Sequence, residues 1–262
     1  MNEKYENIEK WLNYQESPWA KMSYELTEHV LRKHIKGSHL SVLDIGGGNG
    51  QESLWLAKEG ANVTILDISQ NMLNDAHKKY EENGLEDNIL TSKVDLSKGF
   101  NLNKKYDIIF IHNLFSYLDN VDQLLQQAHY HLATNGILSI MHINRYSEIF
   151  PPMIFENDLD KAYEKIDAKR TKIDLFEDTE VYRYIADEMI KKLEKYNFDK
   201  IEKYGIMSMC HLIKDNEIKF DKEYYEKLKK LELRLMQEYP YYEIARFNQI
   251  IARKKLVEIN VS

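Results

Sequence analysis

The run Val42-Leu43-Asp44-Ile45-Gly46-Gly47-Gly48-Asn49-Gly50 is apolar, then acidic, then rich in glycine. Gly46, Gly48 and Gly50 alternate, so the main chain can turn tightly and a ligand can approach it where a side chain would stand in the way. Asp67 lies 23 residues after Asp44, at the end of the next apolar run, and is placed to accept both hydroxyls of a ribose. Ile68 follows it, and Val94 and Asp95 stand at the end of a third run. Glycines after a buried strand, with acids at successive strand ends, describe a nucleotide-type site. The spacing here is G-x-G-x-G. A dinucleotide site seats its pyrophosphate with G-x-G-x-x-G, and that third glycine would fall where Gln51 stands.

These residues need a frame that gathers strand ends. Residues 22–36 read as a helix, 41–45 as a buried parallel strand, 51–58 as a helix, 62–66 as a strand, 70–83 as a helix and 89–94 as a third strand. Residues 107–112 form a fourth strand, 121–132 a helix, Asn135-Gly136 a turn and 137–143 a fifth strand. The alternation predicts an α/β fold, a doubly wound, mostly parallel, seven-stranded sheet with helical cap insertions. Residues 144–180 break the period with Pro151-Pro152, aromatics and charges. A helix near 180–196, a strand near 201–209, a second inserted helix over 221–239 and a closing strand at 247–253 follow. Tyr224, Leu228, Leu231 and Leu235 step by 4, 3 and 4, which places them on one face of the inserted helix. The expected organisation is one domain, 1–262. It has a helical lid at 1–37, a cofactor-binding core at 38–143, a substrate cap at 144–180 and the C-terminal part of the core at 181–262.

With 262 residues, 43% hydrophobic and 30% charged, the chain has an ordinary globular composition. No apolar stretch approaches the roughly 20 residues of a membrane span, and the N-terminus is charged where a signal peptide is apolar, so a cytoplasmic location is expected. Cys210 is the single cysteine, which excludes intramolecular disulfides, thiolate zinc clusters and iron–sulfur ligation. His129 and His131, two apart on a helix, point to different faces, and no metal is expected. The formal charge is −7, unevenly spread: residues 189–262 hold 16 basic and 12 acidic side chains, the rest 20 and 31. A basic tail of this kind suits either an anionic substrate or a solvated mixed-charge helix.

The G-x-G-x-G loop after an acid, with Asp67 and Asp95 at the next two strand ends, resembles motif I of class I S-adenosylmethionine-dependent methyltransferases. The resemblance implies S-adenosyl-L-methionine as cofactor and S-adenosyl-L-homocysteine as product. Asp44 with Gly46, Gly47 and Gly48 would hold the methionine end, Asp67 and Ile68 the ribose, and Val94 and Asp95 the adenine. Asp95 or Ser92 reads equally as a turn cap. His112, before Asn113 at the end of strand four, would contact the methionine portion or the substrate, or be a satisfied core histidine.

The segment LELRLMQEYPYYEIARF at 231–247 is not common to the fold. With GGGNGQES, FIHNL and the strand from Gly205 to His211, it resembles bacterial tRNA 5-carboxymethoxyuridine methyltransferases along nearly the whole chain. That family esterifies the side-chain carboxylate of a modified wobble uridine, which makes tRNA the implied partner. Carried over by position, Glu232, Arg234, Pro240, Tyr241 and Arg246 match its C-terminal motif. Lys21 falls where the family has a cofactor-contacting arginine, and an ammonium replaces a bidentate clamp there. The stretch Leu212-Ile213-Lys214 lacks a tyrosine and an arginine of the family, and the cap at 144–180 shows little similarity.

Methyl transfer from a sulfonium is an in-line displacement, so the protein must align the reactants and exclude water. A carboxylate nucleophile needs no base. Arg145, Lys214, Arg234, Tyr241 and Arg246 would then hold the anionic acceptor, although Arg234 can equally pair with Glu238 one helical turn away. A phenol, hydroxyl or amine acceptor would need a base, for which His112, His142, His211 and Tyr241 are the candidates. Trp11, Tyr14 and Trp19 lid the cofactor, stack on a base or pack an N-terminal helix. A small-molecule O- or N-methyltransferase is the alternative reading, and a non-catalytic cofactor-binding protein the minor one. Monomer and dimer both remain open.

Overall fold

The computed structural model describes residues 5, 7–173 and 179–255. The stretches 1–4, 6, 174–178 and 256–262, which fall within the expected lid, cap and C-terminal part, lie outside the described residues. Seven strands form one sheet in the order β3-β2-β1-β4-β5-β9-β8. They are β1 (Ser41–Ile45), β2 (Asn62–Asp67), β3 (Ile89–Lys93), β4 (Tyr106–His112), β5 (Leu132–Ile143), β8 (Phe198–Ile206) and β9 (Phe247–Lys254). β9 runs opposite to the other six strands, antiparallel to both β5 and β8. β1 and β4 are apolar on both faces because helices cover both sides.

On one face, α2 (Pro18–His34) sets Met22, Leu26 and Val30 against Val42, Phe110 and Met141. α4 (Gln70–Glu81) adds Leu73, Ala76 and Tyr80 there. On the other, α5 (Val121–His131) and α7 (Ala186–Lys195) supply Leu124, Leu125, Met189 and Leu193. The helix starts are fixed by side chains: Ser17 accepts from Ala20 N–H with Pro18 in the first turn, and Ser69 accepts from Met72 N–H. α1 (Glu9–Gln15), α3 (Leu54–Lys58), α6 (Leu159–Lys165) and α8 (Lys222–Leu235) complete the helices longer than a turn.

Four local expectations change. Residues 51–53 form turns, and α3 begins at Leu54. Asn135-Gly136 does not end an element. β5 starts at Leu132 and carries the pair as an irregularity, with Asn135 at φ +64° and four residues skipped between Leu132, opposite Tyr106, and Ile137, opposite Ile108. Residues 180–182, expected to open a helix, belong to strand β7 (Thr179–Tyr182), which pairs antiparallel with β6 (Arg170–Ile173) of the expected cap. On α8, Leu228 and Leu235 are buried, but Leu231 is 46% exposed and Glu232 takes the inward position. The polar demand of the 208–210 turn, described below, overrides the apolar stripe. Among the described residues no helix is long and apolar enough to cross a membrane.

Candidate active site

The carboxyl ends of β1, β2 and β4 and the turn after β3 open onto a cleft of about 460 Å³, lined by Asp44, Gly46, Gly47, Gly48, Asp67, Ile68, Asp95 and His112, among others. The glycine loop owes its shape to two close approaches. A Cβ on Gly47 would run into the Asp44 carboxyl group, and one on Gly50, at φ +67°, would meet Ile65 Cδ1 at 2.7 Å. Asp44 is fully buried and accepts from Ser53 Oγ at 2.7 Å. Burial pushes its carboxyl up to about 7. The Ser53 hydrogen bond opposes the rise, and the charges of Glu52 and Asp67 add to it. Asp67 accepts from Gly48 N–H and Ser69 N–H, each at 2.9 Å, which ties β2 to the loop.

The N-terminal helices close over the loop through polar side chains. Gln15 on α1 exchanges hydrogen bonds with Asn49, at 3.0 and 2.7 Å, and donates to Tyr24 Oη at 3.0 Å. Asn49 also donates to Asp75 on α4 at 2.9 Å. Gln15, Tyr24, Glu52, Asn113 and Tyr117 all line the cleft and were not singled out from sequence as cofactor ligands. Asn113, at φ +55° directly after β4, carries the one available signal, since asparagine tolerates the left-handed turn.

Several expected ligands lie elsewhere. Lys21 stands outside the cleft beside Glu16 at 3.3 Å, because its position on α2 faces solvent while Met22 and Ser23 face inward. Val94 packs against the core, and Leu96 and Ser97 line the cleft in its place. Asp95 does line it while capping Ser97 N–H and Oγ at 3.2 and 2.6 Å. Arg145 is spent on Glu188, with bonds of 3.1 and 2.9 Å across to α7. Lys214 is exposed on a loop, Tyr241 sits 39% exposed on a short turn, and Arg234 pairs with Glu238 at 2.7 Å on the surface. Glu232 is structural: its carboxylate accepts from the backbone N–H groups of Ser208, Met209 and Cys210 at 2.6, 2.9 and 2.6 Å. Of the aromatics, Trp11 lines the cleft and Trp19 packs on the core.

Arg246 has a different setting. Its Nη1 lies 2.6 Å from Glu148 Oε1 and 3.2 Å from Ser147 Oγ. Arg183 Nε approaches the same carboxylate at 3.0 Å, poorly aligned for a hydrogen bond. Burial pushes the Glu148 carboxyl up, but the two guanidinium groups outweigh it and hold the group below its ordinary value. His211 donates from Nε2 to Ile244 O, 3.1 Å away, against the Phe150 ring, and burial with the Arg246 charge lowers it to about 4. His142 is buried in the sheet and held near 4 by burial, so both imidazoles are neutral at pH 7. His129 and His131 stay apart, and among the described residues no three His, Cys, Asp or Glu side chains form a metal-binding group.

The donor set fits S-adenosylmethionine. Acids stand at three strand ends, Asn113 Oδ1 is a buried acceptor without a partner, Trp11 Nε1 a buried donor without one, and both residues line the cleft. Residues 43–138 match the family model of a methyltransferase domain. The chain is 28% identical over 221 residues to the tRNA 5-carboxymethoxyuridine methyltransferase of Escherichia coli, a match that covers 82% of this chain and 80% of that one. It is 34% identical over 125 residues to the ubiquinone biosynthesis O-methyltransferase of Rickettsia canadensis, covering 48% of this chain and 52% of that one, so this second match spans about half the relative. The fold is that of an S-adenosylmethionine-dependent methyltransferase from Clostridium acetobutylicum, with a TM-score of 0.59, 15% identity and coverage of 97% and 99%. The chain thus carries a methyltransferase domain at residues 43–138, shares the fold of S-adenosylmethionine-dependent methyltransferases and is similar over most of its length to a tRNA 5-carboxymethoxyuridine methyltransferase.

Proposed function

We propose that this chain transfers the methyl group of S-adenosylmethionine to an acceptor carboxylate, that of a modified wobble uridine in tRNA, as the name of the Escherichia coli relative describes for that protein. The observation that carries the reading is the cluster of Arg183, Glu148 and Arg246, two cations sharing one carboxylate in a largely buried place. Such a cluster holds one positive charge in excess, which burial makes costly unless an anion joins it.

Asp44, Asp67 and Asp95, with the glycine loop, would hold the cofactor, whose sulfonium supplies the activated methyl group. Held there, the cofactor would supply its methyl group for in-line transfer to an acceptor oxygen and would leave as a neutral thioether. Arg183 and Arg246 would orient the carboxylate, the lid at 1–37 and the cap at 144–180 would exclude water, and no base is required. A small-molecule acceptor is the second reading. It is favoured by the ubiquinone relatives and by the pairing of surface cations with carboxylates, as in Lys21–Glu16, Arg32–Glu59 and Arg170–Glu180. The test is methyl transfer from labelled cofactor to tRNA containing 5-carboxymethoxyuridine, followed by nucleoside mass spectrometry. A methyl ester on that uridine is expected. Cofactor binding without incorporation would move the acceptor to the small-molecule class.

A further inference from the structure

Among the described residues five acidic side chains, Asp44, Glu52, Asp67, Asp95 and Asp119, line the cofactor cleft, and no lysine or arginine does. Asp44 is buried on Ser53, Asp67 is bound by two backbone N–H groups, Asp95 pairs with Lys98 at 3.1 Å and Asp119 lies 3.6 Å from Arg170. Glu52 is held differently. Its Oε2 meets His112 Nδ1, and His112 is itself the visible end of a chain that runs into the core.

That chain has a direction. Gln249 Nε2 is a donor only, and it reaches Ser139 Oγ at 3.3 Å. The one hydroxyl proton of Ser139 is then left for His112 Nε2, 2.8 Å away. His112 therefore accepts at Nε2 and carries its proton on Nδ1, where the Glu52 carboxylate receives it. Ser139 and Gln249 are fully buried, and the His112 ring lies stacked on Phe110 with centroids 5.0 Å apart, so the arrangement has little freedom.

We propose that Gln249, Ser139 and His112 hold the Glu52 carboxylate against the cleft, where it selects the sulfonium cofactor over its thioether product. The proposal rests on S-adenosylmethionine being the ligand. That molecule carries a sulfonium and an ammonium against one carboxylate, and S-adenosylhomocysteine has lost the sulfonium charge. A fixed anion in a cleft without cations rewards the first and gives the second only its ammonium contact. His112 becomes a positioning residue, because a ring with Nδ1 protonated and Nε2 engaged has no free lone pair with which to act as a base.

The test combines calorimetry with imidazole ¹⁵N spectra on the full chain. Glu52→Gln is expected to weaken S-adenosylmethionine, and an analogue with a primary amine in place of the methylsulfonium, about tenfold, and S-adenosylhomocysteine less than twofold. Ser139→Ala, which leaves the cleft lining intact, is expected to release His112 from a single tautomer and to reproduce part of that selective loss. Equal weakening of cofactor and product by Glu52→Gln would overturn the proposal, as would an Nε2–H tautomer or an imidazolium at His112 in the wild type at pH 7. Failure of the wild-type chain to bind S-adenosylmethionine would instead overturn the cofactor assignment, and this inference with it.

Discussion

The cofactor cleft and the Arg183–Glu148–Arg246 cluster are built on opposite principles. The cleft is acidic, its groups come from successive strand ends within about a quarter of the chain, and its ligand is a cation. The cluster is cationic, assembled from positions 148, 183 and 246, and suits an anion. Methyl transfer from a sulfonium to a carboxylate neutralises one charge of each sign. A protein that holds the two reactants in separate fields of matching sign lowers the cost of bringing them together and weakens its hold on both once the reaction is complete.

Breaking the cationic region should have the largest effect on the fold. Glu148→Ala leaves the buried Arg183 and the half-buried Arg246 without their carboxylate, and we expect a loss of about 3 kcal/mol, read as a fall in melting temperature of roughly 10 °C. Breaking the acidic region should spare the fold and remove the ligand. Asp67→Ala deletes the proposed ribose acceptor and should weaken S-adenosylmethionine about 100-fold by calorimetry, since hydrogen bonds to a charged group contribute about 1.5–3 kcal/mol each. An unchanged affinity would contradict the assignment of the cleft.

A smaller effect sharpens the electrostatic contrast. Asp44 is raised from 3.8 to about 7 by burial, so it is increasingly protonated in the free protein below pH 7. Its folded-state value lies above its unfolded one, so the stability it contributes is full below about pH 4 and is lost as pH rises to about 7. A cationic ligand prefers the ionised form, and affinity should rise by up to about tenfold from pH 6 to 8. Asp44→Asn should flatten that profile. Smallest of all is Arg234→Ala, which removes an exposed pair with Glu238 and should change stability by less than about 0.5 kcal/mol and leave cofactor affinity as it was.

The same two regions differ in how far they can be read from sequence. β1, β2, β3 and β4 announce themselves as short apolar runs, and the glycine loop and Asp67 follow each run at fixed positions, so local spacing specifies the acidic side. Glu52 lies in the GGGNGQES stretch, but its role has no local signature, because its partner His112 lies 60 residues away. On the cationic side, Arg145, Arg234 and Arg246 look alike in sequence. Only folding shows that the first is spent on Glu188, the second is solvated and the third shares Glu148 with Arg183, a residue no motif marked. The hairpin of β6 and β7 was hidden for the same reason, since pairing partners outside a repeating α/β pattern leave no local signature.

The division of labour between the two regions is tested most directly by Arg246→Gln. Cofactor affinity would be measured by calorimetry, and methyl transfer to tRNA bearing 5-carboxymethoxyuridine by steady-state kinetics, on the same preparation. The account predicts an unchanged Kd for S-adenosylmethionine and a fall of at least about tenfold in kcat/KM for the acceptor, as expected when a charge-assisted contact to a carboxylate is lost. A parallel loss of cofactor affinity, or full turnover without the guanidinium, would contradict it.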